Sequence, residues 1–131
     1  MGYTISTTLH KPYDAAVAAT REALSAQGFG ILTEIDLKAT LKAKLDVDVA
    51  PQVILGACRP ALAHEAITRE PSVATVLPCN VVVRALDDDR TVVEAFDPDA
   101  MTQLAGEAVA EVAADARTRL GAALDALAEE D

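Results

Sequence analysis

Two apolar runs, Gln52-Val-Ile-Leu-Gly-Ala-Cys58 and Pro78-Cys-Asn-Val-Val-Val83, constrain this chain more than anything else in it. Successive small or β-branched apolar residues bounded by Gly and Pro read as buried central strands, because a half-exposed strand would alternate polar with apolar positions. The rest of the chain must cover them. The second run leads through Asp87-Asp-Asp-Arg90, a turn sequence, into Thr91 to Phe96, which reads as a hairpin partner. One antiparallel pair is therefore required, which excludes a purely parallel doubly wound sheet.

Ahead of these runs, Tyr3 to Leu9 alternates as a half-exposed strand does, with Tyr3, Ile5, Thr7 and Leu9 on one side. Pro12 ends it. A helix to about Gln27 follows, with Tyr13, Val17, Thr20 and Leu24 at helical spacing and Gly28 as its stop. Phe29 to Ile35 is a second strand, and Asp36 then caps a short helix with Leu37, Leu41 and Leu45 on one face and Lys38, Lys42 and Lys44 on the other. Pro60 opens a helix to about Glu70. Asp97-Pro98 opens a long final one, on which Val109, Val112, Ala116, Leu120, Leu124 and Leu127 form a single stripe. The element order β-α-β-α-β-α-β-β-α predicts a two-layer α+β sandwich. Its sheet is expected to be mixed, with about five strands and three to four helices, in a single domain over residues 1–131.

Charge narrows the function classes. The net charge is −10, and it is uneven: residues 1–86 carry eight acidic and eight basic side chains, residues 87–131 thirteen acidic and three basic. Such a surface repels phosphate backbones, and four aromatic residues provide no stacking platform, so no nucleic-acid partner is expected. No apolar run approaches the roughly 20 residues that span a bilayer, and the first residues lack the basic and apolar regions of an export signal. The expectation is a cytoplasmic chain with no membrane partner, whose two cysteines are reduced thiols.

Three separated motifs carry a resemblance. They are Phe29-Gly-Ile-Leu-Thr-Glu-Ile-Asp-Leu-Lys-Ala-Thr-Leu-Lys-Ala-Lys-Leu45, Ile54-Leu-Gly-Ala-Cys-Arg-Pro60 and Leu77-Pro-Cys-Asn-Val-Val-Val83. In order and spacing they resemble the domain-of-unknown-function family number 302, over nearly the whole chain. That resemblance implies a small, mostly bacterial domain with an α+β fold, no established catalytic residues and a tendency to pair as dimers. Arg59 stands where a more neutral residue is common in such sequences, which makes a positive charge beside Cys58 a local feature.

Several residues are candidates for chemistry. Cys58, His64 and Cys79 offer soft sulfur and an imidazole, a set suited to zinc or a cuprous ion. Metal sites usually contain a close ligand pair, however, and these thiols are twenty-one positions apart. No metal and no cofactor is assigned, and buried, inert thiols are the simpler reading. Strand direction decides the distance: parallel strands would hold the cysteines more than about 15 Å apart, whereas antiparallel strands would put them at one edge. Arg59 and the helix start beyond it are expected to lower the Cys58 thiol pKa. Lys38 and Lys42, one turn apart, could grip a small anionic ligand. Glu34 and Asp36 lie about 7 Å apart at the i, i+2 spacing of a strand, but ion pairing and helix capping account for them without catalysis. Asn80 and Arg84 form a polar pair on the face opposite Cys79, Val81 and Val83, as expected of a groove or a subunit contact.

No catalytic set emerges from these residues. The expected function is binding of a small ligand or a partner subunit, with Lys38, Lys42, Cys58, Arg59, His64, Cys79 and Asn80 as candidate contacts and a homodimer as the expected assembly. The alternative is a thiol-dependent redox or soft-metal-handling protein that uses Cys58 and Cys79.

Overall fold

The computed structural model describes residues 2–131. The first half runs β1 (Thr4–Leu9), α1 (Tyr13–Ala26), β2 (Gly30–Asp36), α2 (Leu37–Leu45), β3 (Gln52–Cys58) and α3 (Pro60–Arg69). A 3₁₀ turn (Pro71–Val76) leads to β4 (Cys79–Ala85), β5 (Thr91–Phe96) and α4 (Asp99–Ala105), and a second one (Glu107–Val109) leads to α5 (Ala110–Glu130). The α+β class and the strand order in the chain are as the sequence predicts.

The sheet has the spatial order β1-β5-β4-β3-β2, and each neighbouring pair is antiparallel. It is therefore not mixed. A helix between two strands usually carries the chain over to a parallel neighbour. Here α2 joins β2 to β3, and α3 with its 3₁₀ turn joins β3 to β4, while both pairs are antiparallel neighbours. Each connection thus returns the chain at the end of the sheet where it left.

Alternation along the strands divides the sheet into a covered and an open face. Leu9, Val53, Leu55, Val81, Val83 and Val93 are buried together with Leu24 of α1 and Leu120, Leu124 and Leu127 of α5 in one core. Each fully buried Leu or Val in that layer contributes roughly 1.5–3 kcal/mol relative to exposure. Thr20, also buried, satisfies its hydroxyl by donating to the Ala16 carbonyl at 2.7 Å.

Two helical expectations are corrected. The final region is two helices, because the chain leaves helical geometry at Gly106, whose φ is +88°. The leucine stripe of α2 covers no core: this helix buries no residue, and Leu45 remains 66% exposed. With α4 divided from α5, and with the two 3₁₀ turns, the helices exceed the three to four expected.

On the open face the register aligns Ile35, Ile54, Val82, Glu94 and Ser6 in one row across all five strands. No helix of at least 18 residues in the described chain is apolar enough to cross a membrane.

Candidate functional site

Antiparallel pairing of β3 with β4 decides the cysteine geometry. Ala57 and Cys79 are register partners, so Cys58, the last residue of β3, and Cys79, the first of β4, sit diagonally at one end of the sheet. Both line one cavity of about 40 Å³. Its walls come from five parts of the chain: Phe29 after α1, Leu62 and Ala66 of α3, Pro78 before β4, Met101 of α4, and Val112 and Ala116 of α5.

Burial governs the thiols. Cys79 is 7% exposed, and desolvation, with the neighbouring Cys58 as a smaller cause, pushes its pKa up to about 11. Burial also raises the Cys58 pKa. This is opposite to the expectation from Arg59 and the helix start, and the reason is where the guanidinium goes. Arg59 Nη1 donates to the Gln27 carbonyl oxygen at 2.7 Å, at the C-terminal cap of α1, where a cation meets the exposed carbonyls. Its Nε is buried and has no hydrogen-bond partner.

The other candidates are not brought together with the thiols. His64 is on α3 but exposed, and it is absent from the cavity wall that Leu62, Ala63 and Ala66 of the same helix help to form. Among the described residues, no group of three His, Cys, Asp or Glu side chains is placed to hold a metal ion. Asn80 is exposed on the open face. Lys38 donates to the Val49 carbonyl at 3.2 Å, and Lys42 lies 2.9 Å from Asp46 and 3.5 Å from Asp48. Both lysines thus hold the loop after α2. Glu34 pairs with Arg21 rather than with Lys38, and Asp36 caps α2 by accepting from the Ala39 amide at 2.9 Å.

A second concavity opens on the uncovered face of the sheet. This groove of about 400 Å³ runs between Tyr3, Asn80, Val82, Glu94, Phe96 and Leu104. Tyr3 is 66% exposed and Leu104 69%. Glu94 pairs with Arg84 at 3.7 Å on the adjoining strand. Sequence reasoning found Asn80 and Arg84 on this face but missed Tyr3, Phe96 and Leu104. It also missed Met101 on the thiol cavity, since that residue lies in a helix with no motif and twenty-two positions beyond Cys79.

Comparison with known proteins agrees with the architecture. No curated protein matches the chain. A crystal structure of an uncharacterized conserved DUF302 protein from Bacillus stearothermophilus is similar over 95% of this chain and 98% of its own, with 27% sequence identity and a TM-score of 0.86. The profile described as "Domain of unknown function DUF302" matches residues 5–127, and the chain accordingly belongs to the DUF302 family.

Proposed function

We propose that this chain is a binding domain that works as a homodimer, with the open face of its sheet as the contact surface. The observation that carries this reading is the one-sided packing: the helices bury Leu55, Val81, Val83 and Val93, while Ile35, Ile54, Val82 and Phe96 on the other face keep only partial cover or none. A contiguous apolar patch is seldom left in water, and a second copy covers the one around Ile54, Val82 and Phe96 by symmetry.

Charge supports a second copy over an unlike partner. The register turns sixteen strand positions toward the open face, from Thr4 on β1 to Ile35 on β2, and their only charged members are Arg84 and Glu94, which pair with each other. Two chains of net charge −10 repel almost everywhere else. A two-fold contact around Val82 brings neutral surface to neutral surface. The roughly 400 Å³ groove beside Asn80 then provides space for a small ligand at the edge of the contact. The two free thiols suit a reducing cytoplasm.

Sedimentation equilibrium at micromolar concentration tests the reading. A mass near twice 13.7 kDa is expected, with Val82→Arg reducing it to that of one chain. A wild-type chain that stays monomeric at high concentration would exclude it.

A further inference from the structure

The groove on the open face combines aromatic surface with a single carboxylate. Strand register puts Asn80 and Val82 of β4 on the same side of the sheet as Glu94 and Phe96 of β5, with Val82 directly opposite Glu94. Neighbouring strands lie about 5 Å apart and alternate positions along one strand about 7 Å, so these four residues form a floor on the scale of one aromatic ring. Tyr3, ahead of β1, and Leu104 of α4 line the same groove, and both are largely exposed. Its volume of about 400 Å³ falls within the range that small organic ligands fill.

Charge selects the kind of ligand. Among the described residues that line the groove, Glu94 alone carries a charge. Its partner Arg84 stands outside the lining at 3.7 Å, longer than the about 2.7–3.2 Å of an N–H···O hydrogen bond. Such an exposed pair is weak, and Glu94 keeps acceptor capacity for a closer donor. Its side chain is 35% exposed, so a solute can reach it. The net charge of −10 adds a field that draws cations and repels anions.

We propose that this groove binds a small arylalkyl ammonium ion, the ammonium donating to Glu94 and the ring resting against Phe96 and Tyr3. The inference rests on the reading of the open face as a binding surface and gives its ligand a chemical class. An ammonium has donors and no acceptor, which suits a carboxylate and, beside it, the oxygen of the Asn80 amide. Aromatic faces attract a cation and also pack against a ring, so Phe96 and Tyr3 favour a ligand that carries both. An anionic ligand of the same shape meets Glu94 as a like charge. A neutral one gains the ring contacts but forgoes the ion pair.

The test is a titration of the full chain at low salt with three probes of one shape, followed by the backbone amide resonances of β4 and β5. The probes are 2-phenylethylammonium, neutral 2-phenylethanol and anionic 3-phenylpropanoate. Affinity should fall in that order, with the ammonium shifting residues around Asn80, Val82, Glu94 and Phe96. Glu94→Gln should weaken ammonium binding by about fivefold, whereas Arg84→Gln, which frees the carboxylate, should strengthen it by about twofold or more. Opposite effects from the two members of one exposed pair cannot arise from misfolding, which would weaken both. Absence of saturable ammonium binding at millimolar concentration would overturn the site, as would equal affinity for the anion, unchanged affinity in Glu94→Gln, or shifts that map elsewhere. Sedimentation of the same samples separates this result from the dimer: a monomer that binds the probes in the stated order supports the site while removing the two-fold contact, and a dimer indifferent to the ammonium overturns the site alone.

Discussion

Arg59 crosses 32 positions of sequence to donate from Nη1 to the Gln27 carbonyl oxygen at 2.7 Å, and it can do so because Gly28 has no side chain. A Cβ at residue 28 would fall on that guanidinium nitrogen, and its φ of +82° is one that L side chains rarely adopt. Helix α1, strand β2 and the start of α3 are joined at this point. Gly28→Ala should therefore lower stability by more than the about 1–2 kcal/mol of left-handed backbone alone, because Arg59 must also move. Urea unfolding at unchanged m-value measures the loss.

The thiols should label in a fixed order. Cys58, less buried, should react with iodoacetamide faster than Cys79, and both more slowly than in the unfolded chain, since burial holds each pKa above its ordinary value. Equal rates at neutral pH would contradict the arrangement.

Raised thiol pKa values also set an alkaline limit. A buried Cys79 with a pKa of about 11, against an ordinary 9.0, favours the fold while the thiol is neutral. Its stabilising contribution is complete below pH 9 and is lost as pH rises from there through the folded value. Tyr13, also raised, adds to the fall at higher pH. Chemical unfolding of Cys79→Ala between pH 8 and pH 11 should show a flatter pH dependence than wild type.

At the acid end the relevant group is Asp131. Its carboxylate accepts from the His10 amide at 2.8 and 2.9 Å and meets His10 Nδ1 at 2.9 Å, and the amide hydrogen bond is the main cause that lowers its pKa. A depressed carboxylate pKa means that the contribution exists above the ordinary value and disappears as pH falls through the folded one. The melting temperatures of wild type and Asp131→Ala should thus differ most at neutral pH and converge near pH 3.

Gly56 gives a packing prediction. It sits between Thr33 and Pro78 on the open face, and a Cβ there would lie 2.8 Å from the Pro78 Cγ and nearer still to the Thr33 hydroxyl. Thr33 can rotate away, but the proline ring has little freedom. Gly56→Ala should destabilise by about 1–3 kcal/mol, measurable as a lower urea midpoint. The paired Lys38→Ala and Lys42→Ala change, by contrast, should cost under about 1 kcal/mol, because the partners of both side chains are exposed.

Much of the fold was legible along the chain because local physics writes it there. Period-two alternation marked β1, the apolar runs marked β3 and β4, and the acidic turn marked the β4–β5 hairpin. Asp36 caps α2 as its side chain and position predict. The stripe from Val109 to Leu127 was read correctly as a buried face, but its extent was not, since Gly106 looks no different in sequence from a tolerated helical glycine.

Strand direction was decided by tertiary structure alone. Helical connections of the lengths seen here fit either a parallel or an antiparallel neighbour, and only packing against the shared core selects one. That choice brings Cys58 and Cys79 to the same end of the sheet and turns Arg59 toward Gln27 instead of toward the thiols. It also sets Met101 on their cavity, since contacts between distant segments depend on how helices close over the sheet and leave no spacing pattern in the sequence. Residue types fix what chemistry a side chain can offer; the arrangement of the layers decides which side chains share a site, because that depends on the burial of the whole core at once.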